Sequence, residues 1–189
     1  MNSPETSELF VFQFAHNIPC PETPTVIYEG KTYNTIQVFS QCWLKENLDA
    51  GTMIQGSQHA YNNGIIEKYC YDNDPNNCDT YGGLYQWREM MQYSQTPGVQ
   101  GICPPGWHIP TYAEWDSLIT AVGGDGNALK AIGQGVGAGA GTNTSGFSDL
   151  LAGYRDHYLP YFDFKGGIAW LWTSSEDEYN FLYAYFLNL

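Results

Sequence analysis

Between residues 101 and 119 the chain reads G-I-C-P-P-G-W-H-I-P-T-Y-A-E-W-D-S-L-I, a turn rich in proline and glycine that runs into a helix start. Thr111 and Glu114 stand in the T-x-x-E order of a capping box, in which each side chain bonds the backbone N–H of the other residue. From Trp115 onward the apolar residues recur at helical spacing until a pair of glycines ends the run. The segment therefore predicts a helix of about three turns with one buried face, and Trp115 is expected in the core.

His108 lies in the same segment, between an aromatic and an aliphatic neighbour. This setting favours a buried imidazole that donates to a backbone carbonyl over a metal ligand or a general base. The other histidines, His16, His59 and His157, are isolated in the sequence, and we assign them no role.

Composition limits the class of protein. The 189 residues are enough for one ordinary domain, and they are 16% aromatic, only 14% charged and rich in glycine. This profile is typical of a loop-rich extracellular domain. The net charge of -13 argues against binding to nucleic acid or to anionic lipid, because both are negatively charged. No stretch approaches the length of a membrane span, so direct membrane insertion is not expected.

Turn residues and hydrophobic periodicity divide the chain into segments. Residues 1–24 predict a lead-in with one strand at residues 9–14, and residues 25–39 predict a β-hairpin. Residues 81–91 carry a second helical pattern, and residues 125–145 form a glycine-rich loop. The tail alternates short aromatic strands with turns. We therefore expect an α+β fold, with two short helices embedded in small twisted antiparallel sheets and long loops.

The chain has five cysteines. Cys70 and Cys78 bracket a short polar loop, which predicts a disulfide that closes it. A zinc site is not expected, because no C-x-x-C pair or neighbouring histidine supplies four ligands. The odd count leaves one thiol over, so one of Cys20, Cys42 and Cys103 is predicted to be unpaired.

Separate short blocks of the chain carry a family signature. They are Q-C-W-L-K-E-N-L from Gln41, Y-G-G-L-Y-Q-W from Tyr81, C-P-P-G-W-H-I-P-T from Cys103, S-G-F from Ser145, G-Y-R from Gly153 and W-T-S-S-E from Trp172. In this order and spacing, the blocks together resemble the Fibrobacter succinogenes major paralogous domain over residues 26–189.

The resemblance implies a C-type-lectin-like fold, in the variant shared with the formylglycine-generating enzyme group. Members look like secreted or surface proteins of Bacteroidetes and Fibrobacter-type bacteria, often at the end of longer chains. An extracellular or cell-surface location within a longer chain is therefore expected, although the N-terminal residues contain no export signal. The family pattern ends in a strand of the type G-F-S-V-R-C. The domain at residues 25–189 is thus expected to lack its last strand and a sixth cysteine.

A calcium site is the first candidate for chemistry. Asp72, Asp74 and Asn76 place oxygen ligands at alternating positions, as Ca²⁺ requires. The later glutamate of an EF-hand is absent, and Pro75 is foreign to that motif. The alternative is a solvated turn pinned by a disulfide, because Asp, Asn and Pro form turns in their own right.

Acid–base catalysis is a second candidate, because Glu176, Asp177 and Glu178 are adjacent and paired carboxylates can hydrolyse glycosides. A solvated acidic loop is the alternative, since adjacency in sequence does not set the separation of the carboxylates. No nucleophile motif is present. The formylglycine-generating enzymes depend on a cysteine near the end of their domain, and no cysteine follows Cys103 here.

Ligand binding by loop aromatics is the third candidate. Tyr158, Tyr161 and Phe162 fall in a predicted loop, where aromatic rings can stack on sugars. Asp156 and Asp163 lie beside them and can bond hydroxyl groups. The tail also offers Tyr154, Trp170 and Trp172. Core packing is the alternative for its aromatic residues, and we expect it to hold for Trp172.

These observations favour a non-enzymatic recognition module that binds glycan or protein through its loop-rich C-terminal half. They leave open whether calcium is a cofactor. Two alternatives remain at this point. One is an enzyme related to the formylglycine-generating group that acts through other residues, and the other is a structural domain of a larger surface protein.

Overall fold

Helices and small sheets alternate along the part of the chain that the computed structural model describes, residues 18–176 and 184–189. Within these residues the strands are Thr25–Tyr28 (β1), Lys31–Val38 (β2), Gln41–Leu44 (β3), Thr52–Met53 (β4), Glu67–Lys68 (β5), Tyr154–Arg155 (β6), Phe162–Asp163 (β7), Trp170–Glu176 (β8) and Ala184–Asn188 (β9). The α-helices are Pro75–Tyr81 (α1), Trp87–Met90 (α2) and Tyr112–Ala121 (α3). The fold is α+β, as the sequence predicts.

The N-terminal sheet has the strand order β1-β2-β3 and is antiparallel. Tyr28 pairs with Lys31 at the turn between β1 and β2, which confirms the hairpin predicted for residues 25–39. The two turn residues, Glu29 and Gly30, have φ angles of 50° and 77°. A tight turn with two positive φ angles matches the twist of the flanking strands, so this turn sets the register of the hairpin.

Residues 18–24 form backbone hydrogen bonds with β2 and run beside it. A disulfide joins Cys20 to Cys42 of β3, and Cys103 is the free cysteine. The prediction that one of these three cysteines is unpaired is therefore confirmed. The strand predicted at residues 9–14 lies outside the described residues, and the domain boundary after residue 24 stays a prediction.

The expectation of antiparallel sheets alone is wrong at one place. β4 and β5 pair in parallel, with Thr52 opposite Glu67, because residues 54–66 carry the chain back to the end at which β4 began. Asp49, just before β4, receives the ammonium group of Lys68 in an ion pair, and that of Lys31 lies 3.6 Å from its Oδ2. These contacts tie the parallel pair to the first hairpin.

The structure has three α-helices among the described residues where the sequence predicts two. The helix predicted at residues 81–91 is confined to α2, and α1, which ends at Tyr81, is a helix that the sequence did not predict. Gly82 has a φ angle of 80°, which ends a helix and which a residue with a side chain rarely adopts. α1 forms because Asp74 caps it, accepting from the backbone N–H of Asn76 over 3.0 Å, with a proline at the first helical position.

α3 begins and ends where its sequence predicts. Thr111 Oγ1 accepts from the backbone N–H of Glu114 over 3.3 Å, and Glu114 Oε2 accepts from the backbone N–H of Thr111 over 2.8 Å. These two bonds complete the capping box. Trp115 and Leu118 are buried on the inner face of α3, so the predicted core position of Trp115 is confirmed.

Thr111→Ala is expected to lower the free energy of unfolding by about 1 kcal/mol, because alanine cannot cap the helix. Thr111→Ser keeps the hydroxyl group and should keep most of the stability. Urea denaturation followed by tryptophan fluorescence measures the difference. Ser117→Ala, on the exposed side of the same helix, is the control. A loss as large as that of Thr111→Ala in this control would show that the cap is not the cause.

Two apolar clusters form the core. In the first, the ring centroid of Trp43 lies 4.7 Å from that of Trp115 and 5.8 Å from that of Phe147. The second cluster contains Met90, from the end of α2, and Ile109, from the turn before α3. The segment from residue 101 to 119 thus contributes to both clusters, and this explains its weight in the fold.

Tryptophan side chains fasten β8 to the helical part of the domain. The indole N–H of Trp87 donates to the carbonyl oxygen of Thr173 over 2.7 Å, and that of Trp115 donates to the carbonyl oxygen of Trp172 over 3.1 Å. The indole N–H of Trp172 donates in turn to the carbonyl oxygen of Tyr85 over 2.9 Å. Trp172 is half-buried at the edge of the second cluster, not fully buried as a core residue would be.

The tail contains the short strands that its sequence predicts. β6 pairs with β7 and β8 pairs with β9, both antiparallel. Residues 125–145 form a loop, as predicted, with short 3-10 turns at Gly126–Ala128 and Gly137–Gly139. No helix in residues 18–176 and 184–189 has the length and apolar character needed to cross a membrane.

Candidate functional site

Three aromatic rings stack in a near-parallel column. Tyr154 of β6 lies 4.4 Å from Trp170 of β8 between ring centroids, with an interplanar angle of 12°. The centroid of the Tyr154 ring also lies 6.0 Å from that of Phe164, with an interplanar angle of 17°. We call these three rings, Phe164, Tyr154 and Trp170, the aromatic column. Phe186 of β9 extends it, at 5.2 Å from Trp170.

The aromatic column is open to solvent. Phe164, Trp170 and Phe186 leave 54%, 39% and 45% of their surface exposed. Scattered exposed apolar residues are ordinary on a protein surface, but contiguous ones mark interaction sites. The column is therefore the strongest candidate for a binding surface in the described part of the chain.

Gly153 lets β6 approach its neighbours closely enough to form the column. Its φ angle is 70°, and a Cβ atom there would lie 2.4 Å from the carbonyl oxygen of Asp163. Only glycine combines this backbone conformation with so close an approach. The backbone N–H of Gly153 also donates to the carbonyl oxygen of Ile168 over 2.9 Å, which positions the chain that leads to Trp170.

Arg155, next to the column, anchors a distant loop to β6. Its Nε and Nη2 donate to the carbonyl oxygen of Gly56 over 2.8 and 2.6 Å, and Nη2 also reaches the carbonyl oxygen of Gln58 at 3.2 Å. The guanidinium carbon lies 4.4 Å from the ring centroid of Tyr69. Because these contacts engage Nε, Nη2 and one face of the guanidinium group, Arg155 positions the site.

The loop between β6 and β7 presents two of the residues singled out from sequence. Tyr158 is 84% exposed and Tyr161 is also exposed. Asp156, predicted as a hydroxyl-binding group, also bonds the loop: its Oδ1 accepts from the backbone N–H of Tyr158 over 2.8 Å and of Leu159 over 2.7 Å. This bonding fixes the loop tip and holds Tyr158 outward.

Phe162 and Asp163 of β7 point to different environments. The ring of Phe162 is half-buried and lies 5.5 Å from that of Tyr71, so it packs inside the domain. Asp163 is exposed, and its Oδ1 accepts from the backbone N–H of Phe164 over 2.8 Å. The structure thus brings Tyr158, Tyr161 and Asp163 to the surface and turns Phe162 inward.

A wide groove borders the column. Its lining includes Tyr154, Tyr158, Trp170, Trp172 and Phe186. Its volume of about 2150 Å³ exceeds the roughly 300–1,000 Å³ of a typical small-molecule pocket. The groove is therefore larger than a site for one small molecule.

His108 does not occupy the buried position that its neighbours predict. It is exposed, and its Nε2 lies 2.9 Å from Glu114 Oε1. The prediction is wrong because the capping box holds the Glu114 carboxylate at the surface, where it attracts the imidazole. Burial raises the pKa of Glu114, but hydrogen bonds from Thr111 and His108 outweigh it and lower that pKa below its ordinary value.

The histidines assigned no role from sequence include one close pair. The ring centroids of His59 and His157 lie 5.7 Å apart, and Gln86 Nε2 lies 3.0 Å from His59 Nδ1. Gln86 Oε1 accepts from the backbone N–H of Ala60 over 3.1 Å, so its amide group is oriented to donate to His59. The pair therefore packs the loop tip against the loop that Arg155 holds.

The proposed calcium ligands lie at the start of α1. Asp74 Oδ1 accepts from both the backbone N–H and the side-chain amide of Asn76, which uses this oxygen for the helix cap. Asp72 has a φ angle of 56° in the preceding turn. A disulfide joins Cys70 and Cys78 across this segment. In the described residues, no group of three or more His, Cys, Asp or Glu side chains is placed to hold a metal ion. Calcium binding therefore stays a prediction.

Of the three acidic residues considered for catalysis, one lies in the described part of the chain. Glu176 is half-buried at the end of β8, while Asp177 and Glu178 lie outside the described residues. Burial raises the pKa of the Cys103 thiol to about 12, so this cysteine is protonated near neutral pH and is a poor nucleophile. Burial also raises the pKa of Asp149 to about 7, but Asp149 does not line the groove.

These features define an α+β domain with a tryptophan-rich core and an exposed aromatic face. The chain belongs to the Fibrobacter succinogenes major domain family, whose sequence profile matches residues 36–186. No curated protein and no solved structure matches the chain.

Phe164 and Phe186 are the members of the aromatic face that sequence reasoning missed. The alternation in W-L-W at residues 170–172 is a signal that two tryptophans share one face of β8. The pairing of Trp172 with Phe186 then places that phenylalanine beside them. Nothing in the local sequence predicts that Phe164 turns to stack on Tyr154.

Proposed function

We propose that the domain is a non-enzymatic recognition module that binds glycan through the aromatic column and the adjoining groove. The observation that supports this most is the contiguous exposed surface of Phe164, Trp170 and Phe186 around Tyr154. A pyranose ring has an apolar C–H face that packs on an aromatic ring, and hydroxyl groups that bond the polar groups around it.

Polar groups with free bonding capacity surround the column. Asn188 pairs with Trp170 across the strands and is exposed, as is Asp163 beside Phe164. The Asn188 side chain supplies both donors and acceptors, and Asp163 supplies an acceptor. This combination of aromatic faces and planar polar side chains supports a glycan over a purely apolar ligand.

The arrangement of carboxylates supports binding over catalysis. Glycoside hydrolysis needs two carboxyl groups held on either side of one bond, about 5–10 Å apart. Of the described carboxylates on the groove, Glu46, Glu89, Glu114 and Asp156 are engaged in hydrogen bonds within the domain, which leaves Glu176 without a second carboxylate to act with it. An enzyme of this family with another catalytic set is therefore the weaker alternative.

The proposal also covers the fold family of the domain and the cellular location of the protein. Mixed short strands, few helices and long loops support the C-type-lectin-like fold, in the variant of the formylglycine-generating enzyme group. The disulfides Cys20–Cys42 and Cys70–Cys78 support a secreted or cell-surface location, because disulfides persist in oxidising compartments.

Trp170→Ala is expected to weaken glycan binding by at least about tenfold, because a lost ring stack of about 1.4 kcal/mol corresponds to that factor. Affinity gel electrophoresis against soluble polysaccharides measures the effect as lost retardation. Tyr112→Ala is the matched control, since Tyr112 is an exposed aromatic residue on α3 that does not line the groove.

Two outcomes would contradict the proposal. If no polysaccharide or glycan array retains the wild-type domain, the aromatic face serves a protein partner or a structural contact in a larger surface protein. If Trp170→Ala and Tyr112→Ala weaken binding equally, the binding surface lies elsewhere.

A further inference from the structure

Phe164 is held in a backbone conformation that a phenylalanine rarely adopts. Its φ angle is 59°, in the left-handed region that favours glycine. For a bulky residue, such a conformation costs about 1–3 kcal/mol and persists only where the surrounding structure imposes it. Strained residues of this kind cluster at binding sites, so an observed one is a reason to look for a function.

Several backbone contacts impose the conformation of Phe164. Its N–H donates to Asp163 Oδ1 over 2.8 Å. Its carbonyl oxygen accepts from the N–H of Gly167 over 2.9 Å and of Ile168 over 3.1 Å. The N–H of Gly166 donates to the carbonyl oxygen of Leu151 over 2.7 Å, which anchors the turn to the core. The strain is thus built into a turn that is bonded on both sides.

The strained conformation places the Phe164 ring at the outer end of the aromatic column. Tyr154 is its ring neighbour within the described residues, and 54% of Phe164 remains exposed. The fold gains little burial from a side chain in this position. A glycine or asparagine would make the same turn at lower backbone cost, so the fold alone does not account for an aromatic residue here.

The charges next to the ring balance each other. Asp163 precedes Phe164 and Lys165 follows it, and both are exposed. Lys165 is also engaged, because its Nζ donates to Asn77 Oδ1 over 2.9 Å and lies 4.9 Å from the ring centroid of Tyr71. The chain as a whole carries a net charge of -13, which repels uronic and sulfated sugars.

We propose that Phe164 is a stacking platform for a neutral hexopyranose unit, and that the strained turn exists to present this ring at the end of the aromatic column. This inference rests on the proposed glycan-binding function and makes it specific in two ways. It assigns one subsite to a residue outside the groove, and it restricts the ligand to uncharged sugars.

The test compares Phe164→Gly with the wild type by affinity electrophoresis. The probes are hydroxyethyl cellulose, laminarin, mannan and dextran as neutral polysaccharides, with polygalacturonate and alginate as acidic ones. On the neutral probe that retards the wild type most, Phe164→Gly is expected to bind at least about tenfold more weakly. Phe164→Tyr and Phe164→Trp keep a ring and should bind within about threefold of the wild type.

Phe39→Gly is the matched control. Phe39 is also an exposed phenylalanine at positive φ, 54°, but it lies in the turn between β2 and β3. Both glycine variants relieve the same kind of strain, and their urea midpoints report whether each still folds, while only Phe164→Gly should lose binding. If the polysaccharide gel retards Phe164→Gly and Phe39→Gly equally, the proposed role of Phe164 is overturned.

The outcomes separate this inference from the proposed function. If the wild type binds a neutral polysaccharide and Trp170→Ala weakens it but Phe164→Gly does not, glycan binding stands and the Phe164 subsite falls. Tighter binding to polygalacturonate or alginate than to every neutral probe would overturn the restriction to uncharged sugars. If none of the six probes retards the wild type, the proposed function itself fails.

Discussion

Gly153→Ala is expected to destabilise the domain by about 3 kcal/mol or more, a loss large for a single methyl group. Two costs add. Alanine at a φ angle of 70° is strained, and its Cβ would lie 2.4 Å from the carbonyl oxygen of Asp163 and 2.7 Å from the backbone nitrogen of Lys165. Backbone atoms of a paired strand cannot move aside independently, so β6 and β7 must separate.

Gly133→Ala is the control, and its comparison with Gly153→Ala separates the steric cost from the backbone cost. Gly133 also has a positive φ, 90°, but a Cβ there meets nothing within 4 Å. The control should therefore lose only about 1 kcal/mol, the backbone cost alone. Urea denaturation followed by tryptophan fluorescence measures both variants. If the two losses were equal, close packing of β6 against β7 would contribute nothing.

Asp149→Asn is expected to remove a pH dependence of stability on the order of 3–4 kcal/mol. Asp149 is 1% exposed, and neither carboxylate oxygen has a hydrogen bond of normal geometry. Burial raises its pKa to about 7, which the Leu150 N–H and the Lys130 ammonium only partly offset. In the unfolded chain the pKa is about 4.

The direction in which stability changes with pH follows from the pKa of Asp149 in the folded and in the unfolded state. Between about pH 4 and pH 7 the unfolded carboxyl group ionises while the folded one keeps its proton, so the folded state binds more protons. The stabilisation is present in full below about pH 4, is lost as the pH rises to about 7, and changes little above that. Asparagine has no proton to lose, so its free energy of unfolding should not show this decline.

The measurement is urea denaturation of both proteins at a series of pH values from about 4 to 8, in which the difference between them cancels the other titrating groups. Asp116→Asn, an exposed aspartate on α3, is the control. A difference between Asp149→Asn and wild type that stays constant over this range would mean that Asp149 is ionised in the folded state.

The parts of the fold that local sequence specifies were predictable. The capping box of α3 and the turn at Glu29 and Gly30 each depend on residues within a few positions. α1 also had a local signal, the Asp74-Pro75 cap, but its asparagines and its short length favour a turn as strongly. The parallel pairing of β4 with β5 has no local signal, because it depends on the path of the intervening loop.

The candidate site was predictable only in its location. The aromatic composition of the tail pointed to residues 154–172, and Tyr158 and Tyr161 are exposed as expected. Which rings stack is a different matter, because it depends on the register of β8 against β9 and on the turn that reverses at Phe164. These are contacts between segments, and periodicity within one segment does not encode them.

The indole bonds that fasten β8 also constrain when the domain can fold. Trp87 and Trp115 find their acceptors on β8, 86 and 57 residues further along the chain. Until that strand is available, the indole groups of α2 and α3 have no such partner, and burying them unpaired is costly. We therefore expect the native packing of α2 and α3 to form only together with β8, in a late step of folding in which the tryptophan emission shifts.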